Sequence, residues 1–291
     1  MLEPWLGIDG VRDRIEEFGD ASGLDLVRLG TTADDDEIAH TAHIAPLVVS
    51  LTVMAYDLLR QRTEVPDTIP VAGNSIGELA AAAIAGIVTP ADAVHLAAIR
   101  GAELATVCAS EATGLSVVFG GDPDEVRARL AELDLDQANR SSPGHIVAGG
   151  PVSALAELAE RPPADSRVVR LDVAGAFHTR YMEPAREKFA VQARQFRVSD
   201  PIRPIVSNAD ATVVTTGDGF MERLITQVSG PVRWEACLGT LGRLGARAAI
   251  ELPPAGALAG LLKRDMQGTP VLAVKTPAEL EKVPGFLVEH G

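Results

Sequence analysis

The sequence predicts an α/β fold, a parallel sheet covered by helices, carrying an inserted ferredoxin-like unit of βαββαβ order. Three observations predict it. Strand-like and helix-like patterns alternate along most of the 291 residues, which argues for parallel strands joined by helical crossovers. Between positions 113 and 173 the rhythm changes to strand, helix, strand, strand, helix, strand. Hydrophobic residues make up 46% of the chain and charged residues 23%, enough apolar material for a core that needs neither disulfides nor a structural metal. The expected division is a body formed by residues 1–112 and 174–291, with residues 113–173 as the insert.

The elements follow in order. Leu47 to Leu59 is apolar and helix-compatible. Ile69-Pro70-Val71-Ala72 is a short strand followed by turn residues. Leu79 to Ile87 is rich in alanine, the best helix former. Pro90 suits the first turn of the next helix, which runs to about Thr106. In the insert, Leu115–Phe119, Leu135–Asn139, His145–Ala148 and Arg167–Val173 read as strands. Pro123–Leu133 and Val152–Glu160 read as its helices, and Ser142-Pro143-Gly144 as its hairpin turn. Gly120-Gly121 and Gly149-Gly150 read as turns. Pro204–Ser207 and Ala248–Leu252 are further strands, and Val271–Val274 an edge strand. Phe220–Val228, Val232–Leu244 and Ala257–Arg264 are helices. The tail from Glu279 to Gly291 is weakly patterned.

A net charge of −14 argues against nucleic-acid binding, which draws on clustered Lys and Arg, and against anionic membrane surfaces. Two distant cysteines, Cys108 and Cys237, exclude a disulfide framework and a multi-thiolate zinc site. No metal or cofactor site is expected. No apolar run approaches the ~18 residues of a membrane span, and Met1–Trp5 lacks the features of a signal peptide. A cytoplasmic protein is the expectation.

Three positions stand out chemically. Gly73-Asn74-Ser75-Ile76-Gly77 is a G-x-S-x-G between an apolar strand and an alanine-rich helix, the setting of a nucleophile elbow. Ser75 is the candidate nucleophile. The amide of Ile76, at the helix N-terminus, is a candidate oxyanion donor. A serine nucleophile needs a base, and His178 lies just after the insert, at a domain junction where clefts form. Arg100 ends a mostly apolar stretch; it either complements the helix dipole or clamps a substrate carboxylate.

Taken together, G-N-S-I-G-E at 73–78, I-R-G-A-E-L at 99–104, A-F-H-T-R-Y-M-E-P-A at 176–185, I-V-S-N at 205–208, Q-V-S-G-P-V-R-W at 227–234 and E-L-P-P-A-G-A-L-A-G-L-L-K-R at 251–264 resemble the malonyl-CoA:acyl-carrier-protein transacylases and the acyltransferase domains of polyketide synthases. The resemblance implies an α/β hydrolase-like body with a ferredoxin-like insert, a monomer, and no cofactor beyond the substrate malonyl-CoA. It implies a malonyl-Ser75 intermediate, His178 as base held by a backbone carbonyl near Gln227, and Arg100 gripping the malonyl carboxylate. Asn74, Leu104 and Gln227 join Arg100 as expected substrate contacts. The acceptor would be the phosphopantetheine thiol of acyl carrier protein.

The chain departs from the family pattern in places. Relatives carry an apolar strand and a Gly-Gln-Gly-Ser-Gln-type loop ahead of the Leu2–Trp5 match; that loop supplies a second oxyanion amide. Asn74 stands where the family has His, Ala45 where it has Gln, Leu104 where it has Met, Ser141 where it has Asn, and His145 where it has Gln. Two other functions stay open. One is a pseudoenzyme that binds carrier protein without catalysis. The other is a serine esterase, whose order places a histidine near the C-terminus, where only His290 stands. Because carrier proteins are acidic, a basic patch is expected to dock them; Arg180, Arg186, Lys188, Lys263 and Arg264 are its candidates.

Overall fold

The computed structural model describes residues 1–142, 144–266 and 268–291; the side chains of Ser141, Ser142 and Asp265 also lie outside the description. The Pro143 turn position is therefore outside the described residues, and nothing follows for Ser141 as a pocket residue. The fold is mixed α/β, with many helices around a central sheet.

The central sheet is small. Strand β1 (Val71–Ala72) pairs in parallel with a strand at Ile205–Val206, which pairs antiparallel with Val213–Val214. A separate parallel pair joins Ala249–Glu251 to Val271–Ala273. The expectation of an all-parallel body sheet is thus corrected at Val213–Val214. A short return after Asn208 brings those two valines back beside Ile205–Val206, and a return that tight can only run antiparallel.

Residues 113–170 form a second, four-stranded antiparallel sheet. In chain order after β1, its strands are β2 (Thr113–Gly120), β3 (Asp136–Ser142), β4 (His145–Pro151) and β5 (Ser166–Arg170), and their spatial order is β3-β4-β2-β5. Helices Pro123–Glu132 and Val152–Glu160 make the two crossovers. Val118, Val126, Leu130, Ile146 and Leu158 form a core separate from that of the body. The last strand ends at Arg170, three residues before the expected Val173, although the Leu171 amide still reaches the Leu115 carbonyl at 2.9 Å. Gly149 and Gly150 are not a turn. They lie inside β4, opposite Leu115 and Gly114, where a Cβ on Gly149 would fall 2.7 Å from the Thr179 methyl.

Helix Thr41–Arg62 corrects another expectation. It is 22 residues long and holds an 18-residue window of mean hydropathy 1.6, long and apolar enough to cross a membrane by length and composition. Here that apolarity serves the core: Leu47, Val49, Leu51 and Met54 are all buried. The helix packs on Pro90–Ser110 so closely that a Cβ on Gly101 would lie 2.7 Å from the Thr41 carbonyl oxygen. Glycine at 101 therefore permits the crossing, and the crossing seats its neighbour Arg100 in the interior.

Several helices carried no clear signal. Val11–Ser22, Leu26–Thr31 and Asp35–Ala39 build the N-terminal layer, and Glu183–Ala193 follows the four-stranded unit. The tail is helical at Pro277–Leu280 and Val283–His290; Thr276 and Glu279 form a reciprocal cap, and Leu280 and Val283 anchor both pieces in the core.

Candidate active site

Three loops and two helices converge at the C-terminal ends of the parallel pair, the usual place for a site in an α/β sheet. The turn after β1 carries Ser75. Asn208 follows Ile205–Val206. The loop after β5 carries His178, Gln227 ends helix Gly217–Gln227, and Arg100 comes from the middle of Pro90–Ser110 rather than from a helix end.

Ser75 sits in the left-handed region with φ 53, a strained conformation for a residue with a side chain. Two features hold it there. The Ser75 amide donates to Asn208 Oδ1 at 2.8 Å, and Asn208 Nδ2 donates to the Gly73 carbonyl at 2.8 Å. The turn is so tight that a Cβ on Gly73 would fall 2.0 Å from the backbone of Gly77. Gly73→Ala is therefore expected to destabilise the protein by about 1–3 kcal/mol and to displace Ser75. Melting and Ser75 acylation, measured together, check it; a variant unchanged in both would show that the turn can relax.

Ser75 Oγ lies 2.6 Å from His178 Nε2, and His178 Nδ1 lies 2.9 Å from the Gln227 carbonyl oxygen. A carbonyl only accepts, so Nδ1 carries the proton and Nε2 is the lone-pair nitrogen facing the serine hydroxyl. Burial, and then the nearby Arg100 cation, push the His178 pKa down to about 4. The imidazole is therefore neutral and able to accept a proton throughout the ordinary pH range.

Arg100 is 5% exposed. Its Nη2 donates to Ser75 Oγ at 3.2 Å and to Gln227 Oε1 at 3.4 Å, while its buried Nε has no acceptor among the described residues. Burial lowers its pKa to about 10, so it stays cationic at neutral pH. A buried guanidinium with spare donors is costly unless an anion completes it. An acyl group with a free carboxylate, attached to Ser75, would bring that anion.

The structure brings Ser75, His178, Arg100 and Gln227 into one connected cluster. The Ile76 amide, one residue past Ser75, has no protein acceptor among the described residues. Asn74 flanks the serine; its carbonyl accepts from the Gly77 amide at 2.9 Å. Leu104, one turn beyond Arg100, is 4% exposed and packs in the main core. Ala45 is buried in Thr41–Arg62, and His145 opens β4 with its ring edge-on to Phe119.

Two buried residues were missed by sequence reasoning. Asn208 was present only as the end of I-V-S-N. Glu78 was read as the last letter of the serine motif. Glu78 is 1% exposed; it accepts from the Asn208 amide at 2.7 Å and from Gln227 Nε2. An acidic residue on the buried face of an alanine-rich helix start was the available signal. The thiols are poor rival nucleophiles: burial pushes Cys237 up to about 12 and Cys108 up to about 11.

The comparisons agree on one relationship. A family model described as Acyl transferase domain matches residues 9–279. The chain is 48% identical over 284 residues to the malonyl CoA-acyl carrier protein transacylase of Mycobacterium tuberculosis, covering 97% of this chain and 94% of that protein. It is 27% identical over 276 residues to the protein of the same name from Escherichia coli K12, covering 93% and 89%. Among solved structures it is similar to MCAT from Mycobacterium tuberculosis, with a TM-score of 0.92 at 47% identity over 97% of this chain and 94% of that one. It is also similar to the acyl-carrier-protein S-malonyltransferase of Burkholderia pseudomallei, with a TM-score of 0.89 at 27% identity.

Proposed function

The chain belongs to the acyl transferase domain family, and on that premise we propose that it moves a malonyl group from malonyl-CoA to the thiol of acyl carrier protein through a malonyl ester on Ser75. The observation that carries this reading is the Arg100 guanidinium 3.2 Å from Ser75 Oγ. A positive charge buried beside a nucleophile favours an acyl group that brings its own carboxylate.

The mechanism follows from the contacts. Ser75 Oγ attacks the thioester carbonyl as its proton passes to His178 Nε2. The Gln227 carbonyl, accepting from Nδ1–H, steadies the imidazolium that forms. The Ile76 amide stands where negative charge develops on the acyl oxygen. His178 returns the proton to the departing CoA sulfur. The carrier thiol then attacks the malonyl-serine, with His178 as base for a second time. Because a backbone carbonyl, not an acidic side chain, faces His178, the site departs from an esterase triad. Asn74 and Leu104 complete the pocket wall in this reading, and Gln227 positions Arg100.

The four-stranded unit is read as a ferredoxin-like insert spanning 113–173 in a hydrolase-like body of 1–112 and 174–291, acting as a cytoplasmic monomer with no cofactor. Acyl carrier protein approaches through local basic groups. Arg180, Arg186 and Lys188 are already bonded to Asp134 and Asp136, Glu183, and Glu103 respectively, which leaves exposed Lys263 as the better candidate of those four.

Intact-protein mass spectrometry after mixing with malonyl-CoA tests the reading. The expected result is one malonyl adduct, mapped to Ser75 and discharged by holo carrier protein. Binding of carrier protein without any adduct would make the chain a pseudoenzyme. Discharge to water faster than to the thiol would make it an esterase.

A further inference from the structure

Glu78 takes no part in the steps above, yet it lies under all of them. Its two carboxyl oxygens are divided between two neighbours. One accepts from the Asn208 amide at 2.7 Å, and Asn208 in turn holds the Ser75 amide at 2.8 Å. The other accepts from Gln227 Nε2. The same Gln227 offers its Oε1 to Arg100 at 3.4 Å and its backbone carbonyl to His178 at 2.9 Å. One buried carboxyl thus reaches the nucleophile, the base and the cation, each through a single intermediary.

We propose that Glu78 is a positioning residue of acyl transfer and the internal counter-group of Arg100, linked to it through the Gln227 amide, so that a substrate carboxylate arriving at Arg100 drives Glu78 toward its protonated form. This rests on the malonyl reading above.

The charges around Glu78 support the coupling. Arg100, from helix Pro90–Ser110, favours the carboxylate, as do the Asn208 amide and the Ser207 hydroxyl; Asp210 opposes it. Cys237, from helix Trp234–Arg243, is held neutral. His178, beyond Gln227, is neutral as well. Desolvation outweighs the favourable partners and raises the Glu78 pKa to about 8. With Arg100 engaged by a second carboxylate, Glu78 loses part of its stabilising charge and gains a like-charged neighbour. Both changes raise its pKa further. Linkage then fixes the sign: malonyl binding takes up a proton from solvent, and malonyl preference weakens as pH rises past about 8, where the free protein has already lost that proton. An acyl group without a carboxylate leaves the balance at Arg100 untouched.

The test is kcat/KM for Ser75 acylation by malonyl-CoA and by acetyl-CoA, from about pH 7 to about pH 9, in the wild type and Glu78→Gln. In the wild type the malonyl-to-acetyl ratio is expected to fall by up to about tenfold across that range. In Glu78→Gln, kcat falls for both acyl groups, because the amide cannot accept from both donors, while the ratio stays flat with pH. A wild-type ratio that does not change, or one that falls equally in Glu78→Gln, overturns the proposal. Should the variant fail to fold, calorimetry on the wild type decides instead. Free malonate, titrated near pH 8 in buffers of different ionisation enthalpy, is expected to bring in a fraction of a proton per molecule bound, and no uptake overturns the coupling. Absence of any malonyl adduct at every pH would remove the malonyl reading itself; an adduct with no pH-dependent ratio would remove only this inference.

Discussion

Ser75→Ala and His178→Ala are each expected to slow malonyl transfer to carrier protein by ~10⁴–10⁶-fold, with the double variant no slower than the worse single one. The reason is geometric. Among the described residues the serine hydroxyl has one proton acceptor in reach, His178 Nε2 at 2.6 Å, and that nitrogen is a base only because Nδ1 is committed to the Gln227 carbonyl. Removing the hydroxyl removes the atom that carries the acyl group, and the thiols do not replace it: Cys237 is buried, Cys108 half-buried, and both are held protonated. Removing the imidazole leaves the hydroxyl beside Arg100, which stabilises an alkoxide but accepts no proton. The measurement is the rate of malonyl-carrier formation, with melting curves to show that each variant is folded. Near-normal acylation in His178→Ala, or additive losses in the double variant, would count against a shared step.

The same geometry sets the pH dependence. A general base must be neutral to work, and burial beside Arg100 holds the His178 pKa near 4. The acid limb of kcat/KM for acylation is therefore displaced well below the ~6.5 of an ordinary histidine. Acylation is expected to persist with little loss from about pH 7 down to about pH 5.5. A limb centred near the ordinary value would mean that water reaches the imidazole far more freely than its 8% exposure allows.

How much was legible in the sequence depended on whether the signal was local. G-x-S-x-G between strand and helix is local, and so is a proline opening a helix: both Ser75 and the start at Pro90 could be read directly. The four short strands of the insert announced themselves by turn residues and alternation. Gly149-Gly150 misled because two glycines imply a turn when taken alone. Inside β4 they leave room for neighbours distant in sequence: a Cβ on Gly149 would meet the Thr179 methyl and Leu115, and one on Gly150 would meet Leu135. Helix Glu183–Ala193 has almost no amphipathic pattern, since three of its four buried residues, Ala185, Ala190 and Ala193, are only weakly apolar and Val191 on the opposite side is exposed. Glu78 and Asn208 were invisible for a related reason. Their importance lies in hydrogen bonds to each other across 130 residues, and nothing in the spacing of a motif reports its partner. His178 and Arg100 stood out in the sequence as candidates, but only the family resemblance chose between a chemical and a structural role for them, because a lone histidine or arginine is ordinarily structural.

Arg100→Ala is expected to reverse the acyl preference. The guanidinium is 5% exposed, so its bond to a substrate carboxylate would form away from water, where breaking one half of a charged pair costs about 3–5 kcal/mol. Malonyl-CoA kcat/KM should fall by ~10²–10⁴-fold. Acetyl-CoA should lose far less or gain, because an uncharged acyl group no longer has to lie against a cation it cannot satisfy. The variant also relieves a cost in the free protein, since Arg100 Nε is buried without an acceptor among the described residues; its melting temperature should hold or rise. That pairing of outcomes is diagnostic. A residue that merely braced the fold would lower the melting temperature and slow both acyl groups alike, whereas a carboxylate clamp trades catalytic selectivity for stability. Competition between malonyl-CoA and acetyl-CoA for Ser75, scored by the mass of the adduct, reads the preference in one experiment, and an unaltered preference would place recognition of the carboxylate elsewhere in the site.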